Sequence, residues 1–190
     1  IVPSSHGKDS ALVAHQLKHQ YGMHPLTVTW APFIYTRIGW LNFYNMTQKG
    51  FDGLTAWPNG ITHRKLARVG FEVKGDPFEA FVNGQKAYPF QVAWKFKIPL
   101  IFYGENGEVE YGGSFKNVDK SHESPEDWEE EYYKGVGFDK VLEIGNKMGI
   151  ISDKEFKDGC FDFYRAPPLN EIKKLGLQMH WWSYYKPWLP

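Results

Sequence analysis

The 190 residues carry 22 Lys and Arg against 22 Asp and Glu, a formal net charge of zero, so no global field draws the chain to nucleic acid or to an anionic membrane. Apolar residues make up 42% and charged residues 23%, which excludes a disordered chain; the length suits one domain, alone or with an appendage. A single cysteine, Cys160, excludes an intrachain disulfide and a cysteine-built zinc cluster within these residues; it reads as a core or incidental residue.

The lone cysteine fits a reducing compartment, and a cytoplasmic location is expected. No apolar run approaches the roughly 18 residues that span a bilayer, and the first residues lack a signal-peptide pattern. Membrane insertion and nucleic-acid binding are therefore not expected. Aromatic residues reach 17%, enough to fill a core and leave rings for a binding surface.

Ile1-Val2-Pro3 reads as the tail of a buried strand, followed by a Ser/Gly-rich turn over residues 4–10. Residues 11–21 show helical spacing, with Gly22 as a C-cap. Leu26-Thr27-Val28-Thr29-Trp30 is rich in β-branched residues and predicts a strand. Residues 38–48 predict a second helix with Trp40, Phe43 and Tyr44 on one face, ended by Gly50. A short strand is expected within residues 51–57, then a turn at Pro58-Asn59-Gly60. Residues 61–73 predict a helix with a basic face (Arg64, Lys65, Arg68), and a further helix is expected within residues 77–97, broken or kinked at Pro89.

Residues 98–103 form the clearest strand, apolar enough to be buried on both faces, and a Gly/Glu loop follows over residues 104–113. Alternating strands and helix-length crossovers predict an α/β fold, an open parallel sheet with helices on both faces. The division expected is an ATP-binding unit over residues 1–113, its first strand truncated, and a mostly helical, aromatic-rich extension over 114–190. Within the extension, the acidic run over residues 116–131 reads as a solvated face. Short helices are expected over 138–148, 152–158 (with Ser152 and Glu155 at capping-box spacing) and 170–175, then an aromatic stretch over 180–188.

The chemistry-bearing segment is Pro3-Ser4-Ser5-His6-Gly7-Lys8-Asp9-Ser10, where a strand gives way to a helix. Backbone N–H groups in such a turn and at a helix N-terminus receive phosphate oxygens. Ser5 and Ser10 add hydroxyls, Lys8 a positive charge, and Asp9 a carboxylate suited to Mg²⁺. Neither a Walker A loop nor G-x-G-x-x-G is present. The alternative is an ordinary helix start with Asp9 or Ser10 as the N-cap.

The segment resembles the PP-loop of the ATP pyrophosphatase superfamily, S-G-G-x-D-S after the first strand, through Ser5, Gly7, Asp9 and Ser10, with His6 in place of the first glycine. Further stretches are similar to the N-acetyl sugar amidotransferase family. They are Tyr21-Gly-Met-His-Pro-Leu-Thr-Val-Thr-Trp30, Gly84-Gln85-Lys86, Tyr103-Gly-Glu-Asn106, Glu110-Tyr-Gly-Gly113, Tyr132-Tyr-Lys-Gly-Val-Gly137, Tyr164-Arg-Ala-Pro-Pro168 and Met179-His-Trp-Trp-Ser-Tyr-Tyr-Lys186. The resemblance runs through essentially the whole chain.

That resemblance implies a Rossmann-like fold of the adenine nucleotide alpha hydrolase type. It also implies conversion of a sugar N-acetyl group to an acetamidino group with ATP, Mg²⁺ and ammonia, in bacterial surface-polysaccharide or flagellin-glycan biosynthesis. Ammonia would come from a glutaminase and a cyclase-like partner subunit, and the substrate would be an N-acetylated, nucleotide-linked or free sugar. By this reading Ser5, His6, Gly7, Lys8, Asp9, Ser10, Thr29, Trp30 and Gly104 hold ATP, and Asp9 holds Mg²⁺. Lys8, Asp9 and Glu105 are candidate catalytic residues, and Gln85, Lys86, Asn106, Glu110 and Tyr111 candidate substrate residues.

Two departures carry consequences. A non-Gly residue in a left-handed conformation costs roughly 1–2 kcal/mol, so His6 is expected to weaken ATP binding. The short first strand, and the absence of the cysteine-paired extension that family members usually carry, read as a chain drawn from the middle of a longer enzyme. Two competing expectations are another adenylating PP-loop ligase, such as one acting on tRNA, against which zero net charge speaks, and a nucleotide-binding module that has lost the chemistry. A lone Cys160 argues against sulfur transfer.

Overall fold

The computed structural model describes residues 1–104, 119–123 and 138–187. The chain runs β1 (Val2–Pro3), α1 (Lys8–His19), β2 (Leu26–Trp30), α2 (Arg37–Gln48), β3 (Asp52–Ala56), α3 (Gly60–Lys74), α4 (Glu79–Phe96), β4 (Leu100–Tyr103) and β5 (His122–Glu123). It continues with α5 (Phe138–Lys147), α6 (Asp153–Lys157), a 3₁₀ turn (Asp162–Tyr164), α7 (Leu169–Leu175), β6 (Gln178–Trp181) and α8 (Trp182–Tyr185).

β1, β2 and β3 pair in parallel, with Val28 opposite Pro3 on one side and Leu54 on the other. β4 pairs in parallel with β6, and β5 joins β6 in the antiparallel sense. Two backbone hydrogen bonds connect the groups: Ile1 N donates to Leu100 O (2.8 Å) and Phe102 N donates to Ile1 O (2.9 Å). One residue bonded to two positions i and i+2 on its neighbour is the parallel pattern. The spatial order is therefore β3-β2-β1-β4-β6-β5, and the order reverses direction between β1 and β4.

Alternation along these strands serves two faces. Val2 and Phe102 turn toward α1, where they meet Val13, Ala14, Leu17 and Trp182. Ile1, Val28, Ile101 and Tyr103 turn toward α4, where they meet Phe90 and Ala93. The protein is an open α/β sheet, parallel except for β5 at its edge, with helices on both faces and a helical extension, as the alternation of elements predicts. A third cluster joins α3 and α5 around Leu66, Val69, Leu142 and Ile151.

Several local expectations hold to the residue. β2 spans Leu26–Trp30. Ser152 and Glu155 form a complete capping box at the start of α6. The break expected at Pro89 does not occur: α4 continues to Phe96 with Pro89 buried.

Others are corrected. α1 starts at Lys8, three residues before the expected helix, and Gly7 is its N-cap without a side-chain cap; neither Asp9 nor Ser10 plays that part. The aromatic tail begins with a strand, β6, whose Met179 and Trp181 are buried in the core of the α4 face. Cys160 is exposed, which leaves the incidental reading and not the core one. The basic face of α3 is partly neutralised: Lys65 pairs with Glu155 at 2.5 Å and Arg68 with Glu72 at 2.5 Å. Among the described residues, no helix is long and apolar enough to cross a membrane.

Candidate functional site

In an open α/β sheet, ligands settle outside the carboxyl ends of the strands where the strand order reverses. Here that point lies between β1 and β4, and the Ser4-Ser5-His6-Gly7 loop leaves β1 directly into it. Gly104, which follows β4, is buried against the same place; a Cβ on it would stand 3.2 Å from the backbone of Asp9. A side chain there would press two backbones apart, so glycine permits the close approach.

The loop is held by its own hydroxyls. His6 N donates to Ser4 Oγ (3.0 Å), Ser4 Oγ donates to Ser10 Oγ (2.9 Å) and Gly7 N donates to Ser5 Oγ (3.3 Å). Ser4 is anchored to β2 through its N–H on Val28 O (2.9 Å). Ser10 is thus a buried brace for the loop, while the Ser5 side chain faces outward. The first amides of α1 are left without a side-chain cap, and their positive end is directed at the switch point. Lys8 and Asp9 lie on this first turn, with Lys8 Nζ 2.7 Å from Asp9 Oδ1.

His6 adopts φ +60°, the left-handed region that glycine favours. Its side chain is turned inward and is only 4% exposed. Nε2 lies 2.9 Å from Thr29 Oγ1, and the ring centre of Phe43 of α2 stands 4.8 Å away, the two rings nearly perpendicular. Nδ1 is buried without a hydrogen-bond partner. Burial pushes the imidazole pKa below its ordinary 6.5, so the ring is neutral at pH 7. The charge at this loop comes from Lys8 and the α1 N-terminus rather than from an imidazolium.

Beside the loop lies an open cleft of about 360 Å³ between α1 and α2. His6, Gly7 and Lys8 form one wall and Asn42, Asn45 and Lys49 the other. None of the α2 residues here was singled out from the sequence. The helical pattern of residues 38–48 foretold the element, but nothing local indicates which neighbour its polar residues face.

The remaining expected residues are placed as follows. The Thr29 hydroxyl is taken by His6, and Trp30 packs against Tyr164 and Gly84, where a Cβ would stand 2.1 Å from the indole. Both side chains are buried. Lys86 lies on α4 with its ammonium 4.6 Å from the ring centre of Tyr103, which brings it to the carboxyl edge of β4. Gln85 is half-buried beside it. Glu105, Asn106, Glu110 and Tyr111 lie outside the described residues, as does most of the acidic run.

The donor set suits a phosphate chain with Mg²⁺. Mg²⁺ is held through one or two carboxylates plus phosphate oxygens and waters rather than by an all-protein cage. Asp9 supplies one carboxylate at the uncapped helix start, and no cluster of three or more His, Cys, Asp or Glu occurs among the described residues. In sequence, the chain matches no family model and no curated protein.

Proposed function

We propose that the protein is an ATP-dependent amidotransferase that converts a sugar N-acetyl group to an acetamidino group. The observation that carries this reading is the Ser5-His6-Gly7-Lys8-Asp9-Ser10 loop, seated between β1 and an uncapped α1 at the reversal of strand order. The motifs similar to the amidotransferase family supply the reaction class. Cytoplasmic work in surface-glycan synthesis, with a glutaminase and a cyclase-like subunit supplying ammonia, belongs to the same proposal.

An amide carbonyl is a poor electrophile, so its oxygen must become part of a leaving group. The amide oxygen attacks the α-phosphorus of ATP, and pyrophosphate departs. Ammonia adds to the imidate carbon, loses a proton, and AMP leaves with the former amide oxygen. The α1 amides and the Ser5 hydroxyl orient the departing pyrophosphate, and Lys8 offsets its charge. Mg²⁺ on Asp9 would neutralise phosphate charge in the same place. The neutral His6 is turned inward onto Thr29 and moves no proton in this scheme.

The test is pyrophosphate release from ATP. It is expected only when an N-acetylated sugar and ammonia are both present, and to fall by about 10²-fold or more in Asp9→Asn, an effect of the size seen when a preorganised charge contact is removed. Release with tRNA instead would favour another adenylating ligase. The strained His6 favours a second reading, a module that binds nucleotide without turnover; ATP binding with no release under any condition is its signature.

A further inference from the structure

We infer that α2 is a docking face for a second copy of this chain. Over twelve residues, α2 has no buried residue, and only Gly39, Phe43 and Met46 are half-buried against the rest of the protein. The opposite side carries Ile38, Leu41 and Tyr44 at spacings of three residues, which places them in one row. Ile38 is 68% exposed, and Ile34, just before the helix, is 86% exposed. Trp40, four residues before Tyr44, stacks on Trp57 at 6.1 Å and extends the patch onto the loop after β3. All six side chains are exposed, so the face is largely apolar and uncovered among the described residues.

Area and charge identify the occupant. Six large side chains, each about half exposed or more, offer on the order of 600 Å². This reaches the upper end of what an ordinary monomer exposes in one patch and approaches the ~800 Å² per partner of a standard interface. α2 contains one charged residue, Arg37, and no acid, so the face asks for no opposite charge on its partner. A neutral, apolar row meets those demands with its own copy across a two-fold axis, where each residue i on one chain meets j on the other and j meets i. Asn45, four residues after Leu41, lies where this row borders the cleft, and Asn42 faces the cleft beside it.

The experiment is sedimentation equilibrium on the full chain from 0.1 to 100 µM, alongside Ile38→Lys/Leu41→Lys and a surface control, Lys154→Glu. The expected result is a monomer–dimer equilibrium whose dissociation constant rises at least 100-fold in the α2 variant and stays unchanged in the control, with the same circular dichroism. Exposed positions make the variant fold as the parent does; Leu41→Ala, expected to weaken the dimer about tenfold, provides a milder substitution. A monomer throughout the range, or a dimer indifferent to the α2 substitutions, overturns the inference. So does a monomer whose Trp emission shifts only when another protein is added, which would assign the face to a different partner.

Discussion

α4 and α2 flank the same sheet and are both rich in aromatic side chains, yet they do opposite things. α4 buries eight of its residues, among them Phe90, Ala93 and Gly84, the last so close to Trp30 that no side chain could replace it. α2 buries none. The first is a wall of the core; the second contributes Phe43 to the packing of His6 and its polar edge to the cleft. The difference shows that the packed core and the open cleft belong to different faces of this fold. The packed side holds β1 and β4 in register, and the open side borders the loop that leaves them.

The largest expected effect tests the packed side. Phe90 is 1% exposed, and Phe90→Ala is expected to cost about 3–5 kcal/mol in urea unfolding. Leu41→Ala in α2, measured at sub-micromolar protein, is expected to change stability by less than about 0.5 kcal/mol. Equal costs would break the comparison.

Acid provides the next. His63 of α3 is buried with Nδ1 2.9 Å from the Tyr164 hydroxyl, and burial lowers its pKa to about 4. The unfolded chain takes up a proton near the ordinary 6.5 while the folded chain does not. The His63 contribution is therefore full above pH 6.5, falls as pH drops toward 4, and then levels. Between pH 7 and 5 this contribution falls by about 2 kcal/mol, and that part of the loss should vanish in His63→Gln, while the parts due to His6 and His180, also lowered by burial, and to the Ile1 ammonium, lowered to about 6, remain. Glu155, held down to about 2 by Lys65 and by Ser152, contributes above the ordinary carboxylate range and loses its share only below pH 4.5, outside this window. A His63→Gln variant with the parent's pH dependence would place the acid sensitivity elsewhere.

The smallest effect concerns the open side. His6→Gly relieves left-handed strain of roughly 1–2 kcal/mol and frees Thr29. ATP is expected to bind about tenfold more tightly, as read by calorimetry. No gain, or a loss, means that His6 supports the loop rather than weakening it.

What the residues disclose by themselves follows from how local each feature is. The β-branched run Thr27-Val28-Thr29 predicts its strand, and Ser152 with Glu155 predicts its cap, because both depend on neighbours in sequence. The strand–loop–helix turn between β1 and α1 is legible for the same reason. β6 is not: Gln178, Met179, His180 and Trp181 show an alternation of burial, but only pairing with β4, some 78 residues away, makes them a strand rather than an aromatic tail. The His6–Thr29 contact joins residues 23 apart and has no local signal. The exposure of α2 is hidden likewise, since an apolar period states which residues share a face and not what covers it.

The central claim is that the amide oxygen of the sugar is activated by adenylation at the β1–α1 loop. It is tested most directly by supplying an N-acetylated sugar labelled with ¹⁸O in the acetamido carbonyl, with ATP and ammonia, and reading the products by mass spectrometry. The account predicts the label in AMP, one ¹⁸O for each acetamidino group formed. Label retained in the sugar, or recovered in inorganic phosphate, would contradict it.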